Sequence, residues 1–198
     1  MNALTHNKLY SLEHYARIRP EFRAQVMAHK KQRRVPLGDH AALYFEDALT
    51  MQYQVQEMLR LERIFEAEGI QDELDVYNPL IPDGSNWKAT FMVEYEDEAE
   101  RKLALARLIG IEKAVWVQVE GHAKIRPIAN EDLERETEDK TSSVHFLRFE
   151  LSPAMIAAVK QGTALYAGID HPAYRAECRI ATATRTSLAD DLRSAEMH

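Results

Sequence analysis

The stretch FEDALTMQYQVQEMLRLERIFEAEG, residues 45–69, decides the fold because it is the only long segment dense in both apolar and hydrogen-bonding side chains. At 3.6 residues per turn it predicts a central helix of about six turns, which ends at Gly69. Helical spacing gives this segment an apolar face, which we expect to be buried. That face consists of Met51, Val55, Met58, Leu61, Ile64 and Phe65, and it is interrupted by Glu62.

The opposite face of the same helix is polar. Tyr53, Gln54, Glu57 and Arg60 lie within three or four residues of one another there, so neighbouring side chains can touch. One interpretation is a binding surface, because these groups hydrogen-bond in defined geometry. The other is a solvated face with a helical ion pair worth only about 0.2–0.5 kcal/mol. Asn78 and Pro79, in the long loop 77–86, are predicted to extend the binding surface.

Composition narrows the class of protein. The chain has 198 residues, a net charge of −7 and 45% hydrophobic residues, which predicts a folded protein and argues against non-specific nucleic-acid binding over the whole surface. Cys178 is the only cysteine, so an intrachain disulfide and a cysteine-built metal site are excluded. The sequence shows neither a signal-peptide pattern nor an apolar run long enough for a membrane span, which predicts a cytoplasmic protein without a membrane role.

Period-two alternation and turn residues predict strands at residues 34–37, 41–45, 87–95, 114–119, 123–128, 144–151, 165–169 and 174–180. Two short helices are expected at residues 11–17 and 20–32, and further helices at 96–111, 153–162 and from Thr182. We therefore predict an α+β fold with an antiparallel or mixed sheet packed against several helices. The chain is expected to form a single domain over residues 1–198, helix-rich in residues 1–77 and sheet-rich in residues 87–181.

No motif of a familiar enzyme class occurs, and the sequence does not decide whether the protein is an enzyme. Eight histidines leave metal or haem ligation as a hypothesis, with iron or haem as the candidate cofactors. His145, on an apolar strand face, His171, in a turn after Asp170, and Glu62 are the candidate ligands. The run HKKQRR, residues 29–34, is either an anion patch or a cationic last helical turn, and the second interpretation is favoured.

Long strings of the chain resemble an uncharacterised bacterial family, domain of unknown function 3501. The resemblance covers most of the chain. It rests on HKKQRRVPLGDHAALYFED (29–47), YQVQEMLRLERIFE (53–66), YNPLIPDGSNWKATFMVEY (77–95), RLIGIE (107–112), HFLRFEL (145–151) and GIDHPAY (168–174). Members resemble small cytoplasmic proteins that are often encoded beside a rubrerythrin-like protein and a cysteine-rich iron–sulfur protein of the heterodisulfide-reductase type. The resemblance therefore implies these two as partners, without supplying any catalytic residue.

Two functions follow as expectations. The first is a cytoplasmic accessory protein of a bacterial redox or peroxide-stress system that docks on an iron or iron–sulfur partner protein. The alternative is a metal- or haem-binding redox enzyme with histidine and carboxylate ligands. Homo-oligomerisation stays open, and so do the substrate and the strand order.

Overall fold

In the computed structural model, which describes residues 3–137 and 139–193, helices and strands are mixed along the chain. The helices are α1 (Leu12–Gln32), α2 (Ala48–Glu62), α3 (Ala67–Tyr77), α4 (Glu98–Arg107), α5 (Ile111–Ala114), α6 (Pro153–Lys160) and α7 (Thr182–Asp190). The strands are β1 (Arg34–Pro36), β2 (Ala41–Glu46), β3 (Asn86–Val93), β4 (Val115–Val119), β5 (Ile128–Ala129), β6 (Val144–Glu150), β7 (Leu165–His171) and β8 (Tyr174–Arg179). Short 3₁₀ turns occupy His6–Lys8 and Asn78–Leu80.

The strands form two antiparallel sheets. The first sheet has the order β1-β2-β3-β6-β5, and the second has the order β4-β7-β8. The predicted α+β fold is confirmed, and the sheets are antiparallel rather than mixed. Among the described residues, none of the helices combines the length and the apolarity that crossing a bilayer requires.

The first sheet is buried on both faces. Along β3 and β6, fully buried residues such as Phe91 and Leu147 alternate with half-buried ones such as Met92 and Phe146. The fully buried set forms one apolar core together with β4 and β7 of the second sheet, where Val117 and Ala167 contribute. Because alternate side chains of a strand point to opposite faces, the half-buried set lies on the other face of the first sheet, towards α1 and α2.

The single helix predicted for residues 45–69 is wrong at both ends. Phe45 and Glu46 finish β2, and Asp47 caps α2 in a reciprocal capping box with Thr50. The helix ends at Glu62 because Arg63 adopts the left-handed conformation, with φ of 54°. Gly69, expected to be the stop, lies inside α3. By contrast, the two helices expected before residue 32 are one, since α1 continues through Pro20.

The buried face of α2 also differs from the prediction. Leu61 and Phe65 are 60% and 69% exposed, whereas Tyr53 is only 9% exposed and packs with Tyr15 and Phe22. The reason is that α2 has neighbours on two sides, α1 and α3, so its buried stripe is rotated from the apolar one. Gln56 tolerates burial because its side-chain amide exchanges two hydrogen bonds with the backbone of Tyr10, at 2.6 and 3.2 Å.

Candidate functional site: a cavity over the first sheet

A cavity of about 620 Å³ lies between the helical layer and the first sheet. We call it the sheet cavity. Its floor is formed by the half-buried residues of three neighbouring strands, together with a buried glutamate, namely Tyr44, Glu46, Thr90, Met92, Val144 and Phe146. Its roof includes Met27 of α1, Met51 of α2 and Leu80 of the 3₁₀ turn. Its lining is therefore mainly apolar and rich in methionine, a side chain that adapts its shape to irregular occupants.

Strand register sets the order of the floor residues. Tyr44 is paired with Thr90, and Thr90 with Phe146 on the next strand. Ala42, Met92 and Val144 form the neighbouring row in the same way. Side chains directly opposite each other across antiparallel strands have Cβ atoms about 5 Å apart, so the floor is a continuous surface.

Glu46 is the chemically distinctive residue of the floor. Its side chain is 5% exposed, and its Oε1 atom accepts a hydrogen bond of 2.7 Å from the Thr90 hydroxyl. Its other carboxyl oxygen, Oε2, is buried and has no hydrogen-bond partner within the described part of the chain. A buried polar atom without a partner costs about 1–3 kcal/mol, which a ligand with a donor group would recover.

A second polar feature of the sheet cavity is a cluster of three side chains in its lining, Arg34, Tyr44 and Glu94. The Tyr44 hydroxyl donates to Glu94 Oε1 at 2.5 Å, and Arg34 donates from Nε to the Tyr44 oxygen at 2.9 Å and from Nη2 to Glu94 Oε2 at 3.0 Å. Burial, and then the Glu94 carboxylate, raises the pKa of Tyr44, so its hydroxyl stays protonated near neutral pH. These three side chains satisfy one another and fix the shape of the rim.

Lys30 and Lys31 line the sheet cavity from the last turn of α1. No carboxylate in residues 3–137 and 139–193 lies within ion-pair distance of either ammonium group. They belong to the run HKKQRR, for which a cationic helix end was the favoured interpretation. The lysines do lie in the last turn of the helix. They also line a cavity, and the anion patch stays a prediction.

Glu57, which was predicted to belong to the binding surface, is half-buried and lies at the centre of a hydrogen-bond network between α1 and α2. It accepts hydrogen bonds from Tyr15 at 2.7 Å, from Arg19 at 2.7 and 2.9 Å, and from Arg60 at 3.2 Å. The Arg19 hydrogen bonds hold the pKa of Glu57 down at about 2, so the group stays ionised. The predicted contact between Glu57 and Arg60 is present, but the network ties α1 to α2 rather than presenting a free surface.

The other predicted surface residues have different surroundings. Tyr53 is buried between α1 and α2 and therefore is not a surface group. Asn78 pairs with the backbone of Leu4 in both directions, at 2.8 and 3.0 Å, and so fixes the N-terminal segment. Pro79 is exposed, and its carbonyl accepts a hydrogen bond from Lys88. Of the six predicted residues, Gln54 lines the sheet cavity.

The predicted metal ligands are not brought together. His145 lies in the first sheet, His171 in the second, and Glu62 is exposed at the end of α2. The His145 ring contacts Asn130 through Nδ1 and Thr141 and Ser142 through Nε2, and burial lowers its pKa. The His171 ring contacts the Ile109 carbonyl and the Ala173 amide. In the described ranges, no group of three or more His, Cys, Asp or Glu side chains is placed to hold a metal ion.

Sequence reasoning missed the sheet cavity itself. The signal was the pattern of residues 41–45 and 87–95, which was used to predict strands while the polar positions Tyr44, Thr90 and Glu94 were left without a role. Both faces of these strands are covered, so the polar members of the pattern face a cavity instead of bulk solvent.

Comparison with known proteins gives a family and a structural relative. The chain is similar to a protein of unknown function from Burkholderia pseudomallei whose crystal structure is known, with 53% identity, a TM-score of 0.91, and coverage of 96% of this chain and 100% of that chain. No curated protein matches this chain. The family model described as "Protein of unknown function (DUF3501)" matches residues 3–192, in agreement with the resemblance seen in the sequence. The chain therefore belongs to the DUF3501 family.

Proposed function

We propose that this protein binds a small organic molecule in the sheet cavity. The observation that carries the proposal is the buried Oε2 atom of Glu46, which has no hydrogen-bond partner among residues 3–137 and 139–193 and lies in the floor of a mainly apolar cavity. Cavities of about 300–1,000 Å³ lined by apolar groups with a few placed polar atoms are typical of small-molecule sites, and this one is about 620 Å³. Packing alone would favour an apolar side chain at position 46.

The proposal is tested by filling the sheet cavity. Met92 lies in the floor and is half-buried, so Met92→Trp adds volume inside the cavity without entering the core between the sheets. The probe is anilinonaphthalene sulfonate, an apolar anion whose fluorescence rises in apolar surroundings. We expect saturable binding of one dye per chain to the wild-type protein, weakened about tenfold or more in Met92→Trp.

Leu103→Trp is the matched control, because Leu103 is exposed on α4 and does not line the sheet cavity. It introduces the same indole ring and is expected to bind the dye like the wild type. Equal dye affinity in the wild type and Met92→Trp, with both folded by circular dichroism, would show that the dye binds elsewhere. The absence of saturable binding to the wild type would count equally against the proposal.

Docking on an iron or iron–sulfur partner protein is a second candidate function, supported by the exposed side chains at the α2–α3 corner. Leu61 and Phe65 project into solvent there. Large apolar side chains exposed close together are typical of contact sites between proteins. In this function the protein is an accessory of a redox or peroxide-stress system, and the corner contacts the rubrerythrin-like or cysteine-rich partner.

Binding of the purified partners separates this second function from ligand binding. We expect Leu61→Ser combined with Phe65→Ser to reduce co-elution with the rubrerythrin-like or the iron–sulfur protein at low salt, while Leu103→Ser does not. Leu103 is a suitable control because it is equally exposed on a different helix. If neither partner co-elutes with the wild type, or if the double variant co-elutes as well as the wild type, docking through this corner is excluded.

A further inference from the structure

We propose that the molecule bound in the sheet cavity has an apolar body and a zwitterionic head, with an N–H donor for Glu46 and an anionic group for Lys30 and Lys31. This inference rests on the proposed function and specifies the chemical class of its ligand. It depends on where the charged side chains lie relative to the apolar part of the lining.

Glu46 requires a donor that the described residues do not provide. Its Oε1 atom is satisfied by Thr90, so the unpartnered Oε2 atom is the one available to a ligand. Lys88 lies directly opposite Glu46 in the strand register, which makes it the expected partner. Its ammonium group instead donates to the Pro79 carbonyl at 2.8 Å. A ligand N–H group, particularly a charged one, would complete the coordination of the carboxylate.

The lysines provide the complementary charge in the lining of the same sheet cavity. His29 and Asp47 are in contact, with 2.5 Å between Nε2 and Oδ2, and this contact joins the last turn of α1 to the end of β2. Lys30 follows His29 and Glu46 precedes Asp47, so this contact brings together the two segments that carry them, and both residues line the cavity. Both lysine ammonium groups are without a carboxylate partner among the described residues, so they attract an anion.

The apolar body of the ligand fits the remaining floor and roof. Met92, Val144 and Phe146 line the floor away from the Glu46 row, and Leu80 belongs to the roof. The floor runs from Thr90 to Glu94 along β3 and just past its end, and it crosses β2, β3 and β6. At about 3.3 Å per residue and about 4.8 Å between strands, it measures about 13 Å by about 10 Å. A linear apolar chain of about eight carbon atoms therefore fits on it.

Four probes with the same number of carbon atoms, about ten, isolate the two head-group contacts. They are aminodecanoate, with its amine next to the carboxylate, decanoate, decylamine and decanol, each titrated calorimetrically below its micelle concentration. We expect aminodecanoate to bind about tenfold more tightly than decanoate or decylamine, because each of these lacks one of the two charge-assisted contacts. Decanol, with neither charged group, is expected to bind most weakly.

Two sets of variants assign the contacts. In Glu46→Gln, which keeps an oxygen for Thr90, the advantage of aminodecanoate over decanoate is expected to disappear while decanoate affinity is kept. In Lys30→Gln combined with Lys31→Gln, the advantage over decylamine is expected to disappear instead. Lys160→Gln, on α6 and outside the cavity lining, is the control for loss of a lysine charge elsewhere, and neither preference is expected to change in it.

The outcomes separate this inference from the proposed function. If all four probes bind the wild type with equal affinity and Met92→Trp weakens all of them, the zwitterionic head is wrong and the sheet cavity remains a ligand site. Retention of both preferences in folded Glu46→Gln and in the folded lysine double variant would also overturn the head-group assignment. If no probe binds the wild type, or if Met92→Trp leaves all four affinities unchanged, both proposals fail.

Discussion

Arg33 is a buried charged residue whose guanidinium group joins three segments of the chain. It is 2% exposed, and it donates to the Phe45 carbonyl at 3.0 Å, to the Ser187 hydroxyl at 3.0 Å and to Asp191 at 2.6 Å. Removing one member of a buried ion pair leaves the other charge uncompensated, at a cost of about 3–5 kcal/mol. We expect Arg33→Met to lower the free energy of unfolding by about this amount, measured by urea denaturation.

Asp191, at 2.6 Å the nearer of two carboxylates that pair with Arg33, supplies the control for that measurement; the other, Asp47, lies at 3.6 Å. Burial raises the pKa of Asp191 to about 6 despite the guanidinium beside it, so this carboxylate depends on Arg33 near neutral pH. Removing both charges in Arg33→Met/Asp191→Leu is expected to restore a large part of the loss. Arg175→Met, at an exposed position of β8, should change stability by less than about 0.5 kcal/mol. If Arg33→Met also lowered the free energy of unfolding by less than about 0.5 kcal/mol, the structural role assigned to the guanidinium group would be wrong.

Glu57 is expected to make stability depend on acid pH. Its pKa in the folded state is about 2, against an ordinary value of 4.5, so its contribution is present above about pH 4.5 and is lost as pH falls towards 2. Allowing for partial solvent screening, Glu57→Gln should lower the free energy of unfolding at pH 7 by about 1–2 kcal/mol. The difference from the wild type should shrink between pH 4.5 and 2 in urea denaturation series. A difference that stays constant over this range would exclude Glu57 as the titrating group.

At the scale of single residues, the sequence predicted which side chains touch within one helix more accurately than it predicted which side chains are buried. Glu57 and Arg60 are three residues apart, and helical geometry alone brings them together. Tyr15 and Arg19, which complete the Glu57 network, come from another helix about forty positions away, and no local pattern connects them. Burial of Tyr53 has the same origin, since Phe22 and Tyr15 on α1 cover it.

At the scale of elements, the sequence did not predict where α2 ends, which is at Glu62 rather than at Gly69. When a helix ends with a residue in the left-handed conformation, that residue is usually glycine. Here it is Arg63. Left-handed backbone costs a residue with a side chain about 1–2 kcal/mol. Arg63 is exposed, so Arg63→Gly should raise the free energy of unfolding by up to about 1 kcal/mol in thermal or urea denaturation.

Arg63→Ala is the control for this helix end. It removes the same side chain and keeps the left-handed penalty, so it should not stabilise the protein. Equal gains in both variants would mean that loss of the arginine side chain, rather than relief of the backbone conformation, causes the effect. A loss of stability in Arg63→Gly would contradict the strain assigned to this position.

Most strands and hairpins were predicted more accurately because their determinants are local, but the strand expected at residues 123–128 is wrong, since β5 covers only Ile128–Ala129 and pairs with β6. The turn at Gly38, the alternation of β3 and the cap at Ser152 each lie within the segment that they shape. The separation of the strands into two sheets has no such local determinant. In β7, Gly168 faces Trp116 of β4, and this contact between strands about fifty residues apart helps to set the second sheet.

At the scale of the whole molecule, the sheet cavity is a product of tertiary structure. Its floor combines residues from β2, β3 and β6, which follow one another at intervals of about fifty residues, and its roof comes from α1, α2 and the turn after α3. The sequence predicted the three strands one by one, divided α1 into two helices and made α2 too long, and it could not give the order of the strands in the sheet. The candidate site therefore depends on strand order, the property that residue patterns determine least.

The shared core predicts that both sheets unfold in one transition. Trp87 in β3 and Trp116 in β4 are buried, and they are the two tryptophans of the chain, so each reports on one sheet. Residues of both sheets belong to one apolar core, and α7 is attached to it because the Trp87 indole donates to the Leu188 carbonyl at 2.9 Å. We therefore expect Trp87→Phe and Trp116→Phe each to show coincident urea midpoints by tryptophan fluorescence and by far-ultraviolet circular dichroism. Separate midpoints in either variant would mean that the sheets unfold independently and that the single domain expected from the sequence is two.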